Sequence, residues 1–73
     1  MTTTETQPRD IAVNGTAVAS RAETLAALVD EQGFAGIKVA TAINGDFVPE
    51  RQRLTTPIAP GDRIEILSVR QGG

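Results

Sequence analysis

The sequence closes on Gly72-Gly73, so the reactive group at that end is an α-carboxylate carried on two residues without side chains. Ahead of it runs Ile64-Glu65-Ile66-Leu67-Ser68-Val69, an apolar and β-branched stretch that reads as a strand, and then Arg70-Gln71. A strand leading directly into Arg70, Gln71, Gly72 and Gly73 presents a thin carboxylate that another protein's active site can take in. Without a Cβ, Gly72 and Gly73 pass through channels too narrow for other residues and adopt backbone angles closed to them. Arg70 to Gly73, fully extended, reach about 13–14 Å, enough to pass from a domain surface to a recessed site.

The rest of the chain offers little chemistry of its own. It contains no Cys, His, Tyr or Trp. Thiol nucleophiles, imidazole bases and the usual zinc ligand sets are therefore absent. Asp, Glu, Lys, Ser and Thr remain, but they form no recognisable catalytic cluster. No catalytic residue, metal ligand or cofactor site is assigned. The sequence reads as a substrate of covalent chemistry rather than as its catalyst.

Length and charge narrow the setting. A chain of 73 residues makes one small domain. Such a domain buries only about 60% of its unfolded surface, which leaves a thin core and little room for a catalytic cavity. The net charge of −2 gives no basic footprint for nucleic acid. No apolar run approaches the roughly 20 residues of a membrane span, and no secretory pattern opens the chain. The expected setting is cytoplasmic, with neither a membrane nor a nucleic-acid partner.

The elements that must position the tail follow from local patterns. Residues 1–9 are polar and Thr-rich and are expected to form a disordered leader. Ile11 and Val13 open a strand. Asn14-Gly15 is a hairpin turn, since both positions of that turn need positive φ, and Thr16 to Ala19 return. Ser20-Arg21-Ala22-Glu23 fits a capping box, which predicts a helix of about three turns over 21–32, closed by Gly33. Leu25, Leu28 and Val29 face the core at helical spacing.

Val39, Thr41 and Ile43 alternate as a third strand. Asn44-Gly45 turns the chain, Asp46-Phe47-Val48 form a fourth strand, and Pro49 ends it. Leu54 lies in a polar stretch that fits one short 3₁₀ turn. Pro60-Gly61-Asp62 is a tight turn, and the last strand starts at Arg63. The predicted class is α+β: a mixed sheet of about five strands, one helix on one face, and the first and last strands central. That is the β-grasp arrangement, with the domain over 10–69 and the tail over 70–73.

If Val48, Ile64 and Ile66 point to the helix, alternation sends Phe47, Leu67 and Val69 to the outer face. An apolar cluster there is a partner-docking patch, and the plain alternative is scattered surface hydrophobicity. Arg70 either pairs with acidic groups on a partner or is solvated. Arg51, Arg53 and Arg63 read as a solvated face. Arg70 to Gly73 carry no apolar side chain to bury, so the tail is expected to be unordered in the free protein.

Three blocks in fixed order carry a family likeness. They are Ala42-Ile43-Asn44-Gly45-Asp46-Phe47-Val48-Pro49, then Pro60-Gly61-Asp62-Arg63-Ile64, then Gly72-Gly73. With Val13-Asn14-Gly15 they resemble the ubiquitin-like sulfur carriers, most closely the thiamine-pathway branch, over residues 10–73. The resemblance implies a cycle centred on Gly73. An ATP-dependent activating enzyme adenylates its carboxylate, a sulfur donor protein displaces AMP to leave a thiocarboxylate, and a thiazole synthase takes the sulfur. A carboxylate is a poor electrophile until its oxygen becomes a good leaving group, and adenylation supplies one. Other clients (molybdopterin, cysteine or a secondary metabolite) and conjugation to other proteins stay open, as does a purely non-covalent interaction domain.

Overall fold

The computed structural model of the chain describes residues 7–68. Five strands form one mixed sheet: β1 (Arg9–Val13), β2 (Thr16–Ser20), β3 (Val39–Ile43), β4 (Asp46–Val48) and β5 (Arg63–Ser68). Their order across the sheet is β2-β1-β5-β3-β4. β1 and β5 run parallel, and the other neighbours are antiparallel. The first and last strands are therefore both interior, as the order of elements predicts. Arg9 opens β1 opposite Ser20, so the strand takes in a residue that the sequence assigns to the leader.

Both hairpins turn on Asn-Gly. Asn14 and Asn44 each have φ of 51°, and Gly15 and Gly45 follow at 83° and 90°. Positive φ at both positions gives the backbone twist that matches two flanking strands.

One helix, α1 (Leu25–Val29), crosses a single face of the sheet and continues into a π-helical turn over Asp30–Phe34, where Gly33 at φ 92° ends it. Leu25 and Leu28 are fully buried against Ile11, Val13, Ile64 and Ile66 in one apolar cluster. Ile58 joins this core from the connection into β5 and carries no periodic signal in the sequence.

The helix start corrects the sequence reading. Ser20 is the last residue of β2, not a cap. The cap is Thr24, whose hydroxyl accepts from the Ala27 amide at 3.2 Å. Residues ahead of it are held extended by a short antiparallel contact. The Ile58 amide donates to the Glu23 carbonyl at 3.1 Å, and the Leu25 amide donates to the Thr56 carbonyl at 2.9 Å. With those groups committed, a helix cannot begin at Arg21. The Ser20 hydroxyl instead accepts from the Ala22 amide and donates to Glu31 on the π-turn.

Arg53 is the second correction. It belongs to the 3₁₀ helix Glu50–Thr55 and is buried rather than part of a solvated face. Its Nε donates to Thr41 Oγ1 at 3.0 Å and its Nη2 to the Val39 carbonyl at 2.6 Å. Thr41 Oγ1 in turn donates to the Val48 carbonyl at 2.8 Å. Burying a guanidinium is costly unless its donors are satisfied, and here oxygens on β3 accept from it. Arg51 and Arg63 are exposed, as expected.

Candidate functional site

The sheet has one covered face and one open face. Alternation along β5 puts Ile64 and Ile66 under the helix and Arg63, Glu65 and Leu67 on the open side. On β3 the same rule sends Val39 and Thr41 inward and Ala40 and Ala42 outward. Leu67 stands beside Ala40, and Phe47 beside Ala42.

Phe47 is 69% exposed and Leu67 63%. The structure thus brings two of the three expected docking residues onto one face. On ordinary strand spacings they lie roughly 12 Å apart, too far to touch, with the β3 alanines as floor between them. Ala12 and Ala17, paired across β1 and β2, repeat the small-residue pattern at the far edge, with Arg63 and Glu65 of β5 standing between the two alanine groups. The sequence signal of the β3 alanines is the regular interleaving of Val39-Ala40-Thr41-Ala42-Ile43, in which the small residues mark the open face.

Val69, the third expected docking residue, and Arg70, Gln71, Gly72 and Gly73 lie outside the described residues. What the structure does define is the strand that leads to them. β5 is flanked on both sides, by β1 over Ala12↔Arg63 and Val13↔Ile64, and by β3 from Ile43↔Ile64 to Val39↔Ser68. The pairing with β1 stops first. Beyond it the Asn14 side chain takes over: its Oδ1 accepts from the Ile66 amide at 2.9 Å and its Nδ2 donates to the Ile66 carbonyl at 3.1 Å.

The other hairpin asparagine acts at the opposite end of β5. Asn44 Oδ1 accepts from the Arg63 amide at 2.9 Å, and its Nδ2 donates to Asp62 Oδ1 at 3.0 Å. Asp62 also accepts from the Ala59 amide, which closes the Pro60-Gly61 turn.

An open groove of about 520 Å³ lies on the helix side, lined in part by Val29, Phe34, Ile37, Arg53 and Leu54. It is not on the face that carries Phe47 and Leu67. Among the described residues no group of three His, Cys, Asp or Glu side chains is placed to hold a metal. No helix among them is long and apolar enough to cross a membrane.

The sequence matches the ThiS family over residues 6–73, nearly its whole length. The chain belongs to the ThiS family. A crystal structure of the thiamine biosynthesis protein ThiS from Geobacter metallireducens shares the fold with a TM-score of 0.69 and 25% sequence identity, over 88% of this chain and 99% of that one. No curated protein matches the sequence. Membership in the ThiS family makes the chain a small thiamine-pathway sulfur carrier on a β-grasp fold, not an enzyme. It also implies interaction with enzymes of that pathway.

Proposed function

We propose that the sulfur travels as a thiocarboxylate on Gly73. The Gly73 carboxylate attacks the α-phosphorus of ATP on an activating enzyme, pyrophosphate leaves, and the carboxyl carbon becomes an acyl-adenylate. A sulfur nucleophile supplied by a donor protein then adds to that carbon and expels AMP. A thiazole synthase takes the sulfur from the resulting thiocarboxylate, and an oxygen from water or from the acceptor substrate replaces it on the carboxyl carbon, which restores the carboxylate. Every catalytic group in this cycle belongs to a partner.

The observation that supports this reading best is the pairing of family membership with an interior strand that leads toward Gly72-Gly73 beside an open face with exposed Phe47 and Leu67. Phe47 and Leu67, with the alanine floor between them, are the surface offered to the activating enzyme. Val69, Arg70 and Gln71 come next in the sequence and would lead Gly72-Gly73 into its nucleotide site. Docking through side chains other than the terminal glycines leaves Gly72-Gly73 free for chemistry.

The test is ATP–pyrophosphate exchange with a cognate activating enzyme. The full chain is expected to support exchange, and the chain lacking Gly73 to lose it while keeping its thermal unfolding transition. Exchange that persists without Gly73 would contradict the assignment.

A further inference from the structure

The ladders that hold β5 and β3 both run out toward the tail end of the sheet, and in each case a side chain replaces the missing strand. β4 ends at Val48, opposite Thr41, and the Val39 carbonyl one step further on is taken by Arg53. β1 ends at Val13, opposite Ile64, and the Ile66 amide and carbonyl one step further on are taken by Asn14. Asn14 thus behaves as an extra residue of β1, reached across a sequence separation of 52.

The two bonds are more than the turn requires. An Asn-Gly turn needs positive φ, which Gly supplies as well as Asn, so a Gly-Gly turn would close the hairpin without the side chain. We infer that Asn14 is a positioning residue for the tail: it fixes β5 at Ile66, so that the segment handed to the activating enzyme starts from an ordered strand end. This rests on the functional reading above. β3 holds the other edge of β5 as far as Ser68, so without Asn14 the strand beyond Ile64 would be gripped from one side only. Ordering one backbone residue costs a factor of about 5 to 30 in population, which is the scale of the loss if that one-sided end loosens.

Asn44 provides a matched control. It sits in the same turn type with the same φ and grips the same strand, but at its beginning, away from the tail. Asn14→Gly and Asn44→Gly each keep the turn and remove one grip.

The experiment measures amide hydrogen exchange and steady-state activation by the activating enzyme on the full chain and both variants. In Asn14→Gly the Ile66 amide is expected to exchange at least tenfold faster. The kcat for adenylation should fall about fivefold with little change in KM, because the open face still docks while the tail is set less often. Asn44→Gly should leave kcat and KM near the parent values. Asn14→Asp, which keeps the acceptor for the Ile66 amide and loses the donor, should fall between.

Equal kcat in Asn14→Gly and the parent, or an equal loss in Asn44→Gly, would overturn the inference while the carrier reading stands. Unchanged exchange at Ile66 would overturn it as well. A parent chain that is not adenylated at all would overturn the carrier reading and the inference with it.

Discussion

Ile66 and Leu67 are neighbours in β5, yet the first is 2% exposed and the second 63%. They belong to the two faces of one sheet. The covered face is built from branched residues, such as Ile11, Val13, Ile64 and Ile66, closed over by Leu25 and Leu28. The open face carries alanines, the charged Arg63 and Glu65 of β5, and the exposed Phe47 and Leu67. A domain this small divides its apolar residues between two faces. One set holds the fold together, and the other is left in water, where we propose that a partner covers it.

The sharpest test of that division substitutes the two neighbours in turn. Ile66→Ala removes fully buried methyl groups and should cost about 2–5 kcal/mol in urea unfolding, a large share of a small domain's stability. Leu28→Ala, on the helix side of the same core, should cost a similar amount. Leu67→Ala should stay within about 0.5 kcal/mol. Comparable losses at Ile66 and Leu67 would mean that the faces are not divided in this way.

Arg53 sharpens the covered side. Arg53→Met keeps the length of the side chain but leaves the Val39 carbonyl without its donor and the Thr41 hydroxyl without one of its partners. A loss of about 2 kcal/mol is expected, against almost none for the exposed Arg51→Met. Equal effects would show that the guanidinium is solvated after all.

The open side is tested by charge. Placing Phe47→Glu and Leu67→Glu together should leave the unfolding midpoint nearly unchanged. Affinity for the activating enzyme should fall at least tenfold, or about 1.4 kcal/mol, when measured by calorimetry. Unaltered affinity would return these residues to scattered surface hydrophobicity. The smallest expected effect concerns the helix start. Thr24→Ala should cost about 1 kcal/mol, the worth of one cap, whereas a helix that started at Ser20 would not register the change.

Much of this architecture was legible because it is local. The alternation in Val39-Ala40-Thr41-Ala42-Ile43 and in β5 gives strand, face and burial together. Asn-Gly specifies both hairpins through a φ requirement that few other pairs meet. Phe47 and Leu67 fall to the outer face by parity alone.

What escaped the sequence depended on distant partners. Ser20 and Glu23 satisfy a capping pattern, but pairing of Ser20 with Arg9 and the hydrogen bonds at Thr56 and Ile58 hold that stretch extended. Arg53 looked solvated because its acceptors, Thr41 and Val39, lie 12 and 14 residues back on another element. Asn14 was legible as a turn residue but not as the clamp on Ile66, since nothing local announces a bond to a strand 52 residues away.

The central claim is that Gly73 carries the sulfur. The most direct measurement is the intact mass of the full chain after incubation with ATP, a cognate activating enzyme and a sulfur source. Exchange of one carboxyl oxygen for one sulfur, located by fragmentation to Gly73, is the predicted result. An unchanged mass with an activating enzyme of proven competence, or the appearance of higher-mass conjugates instead, would contradict it.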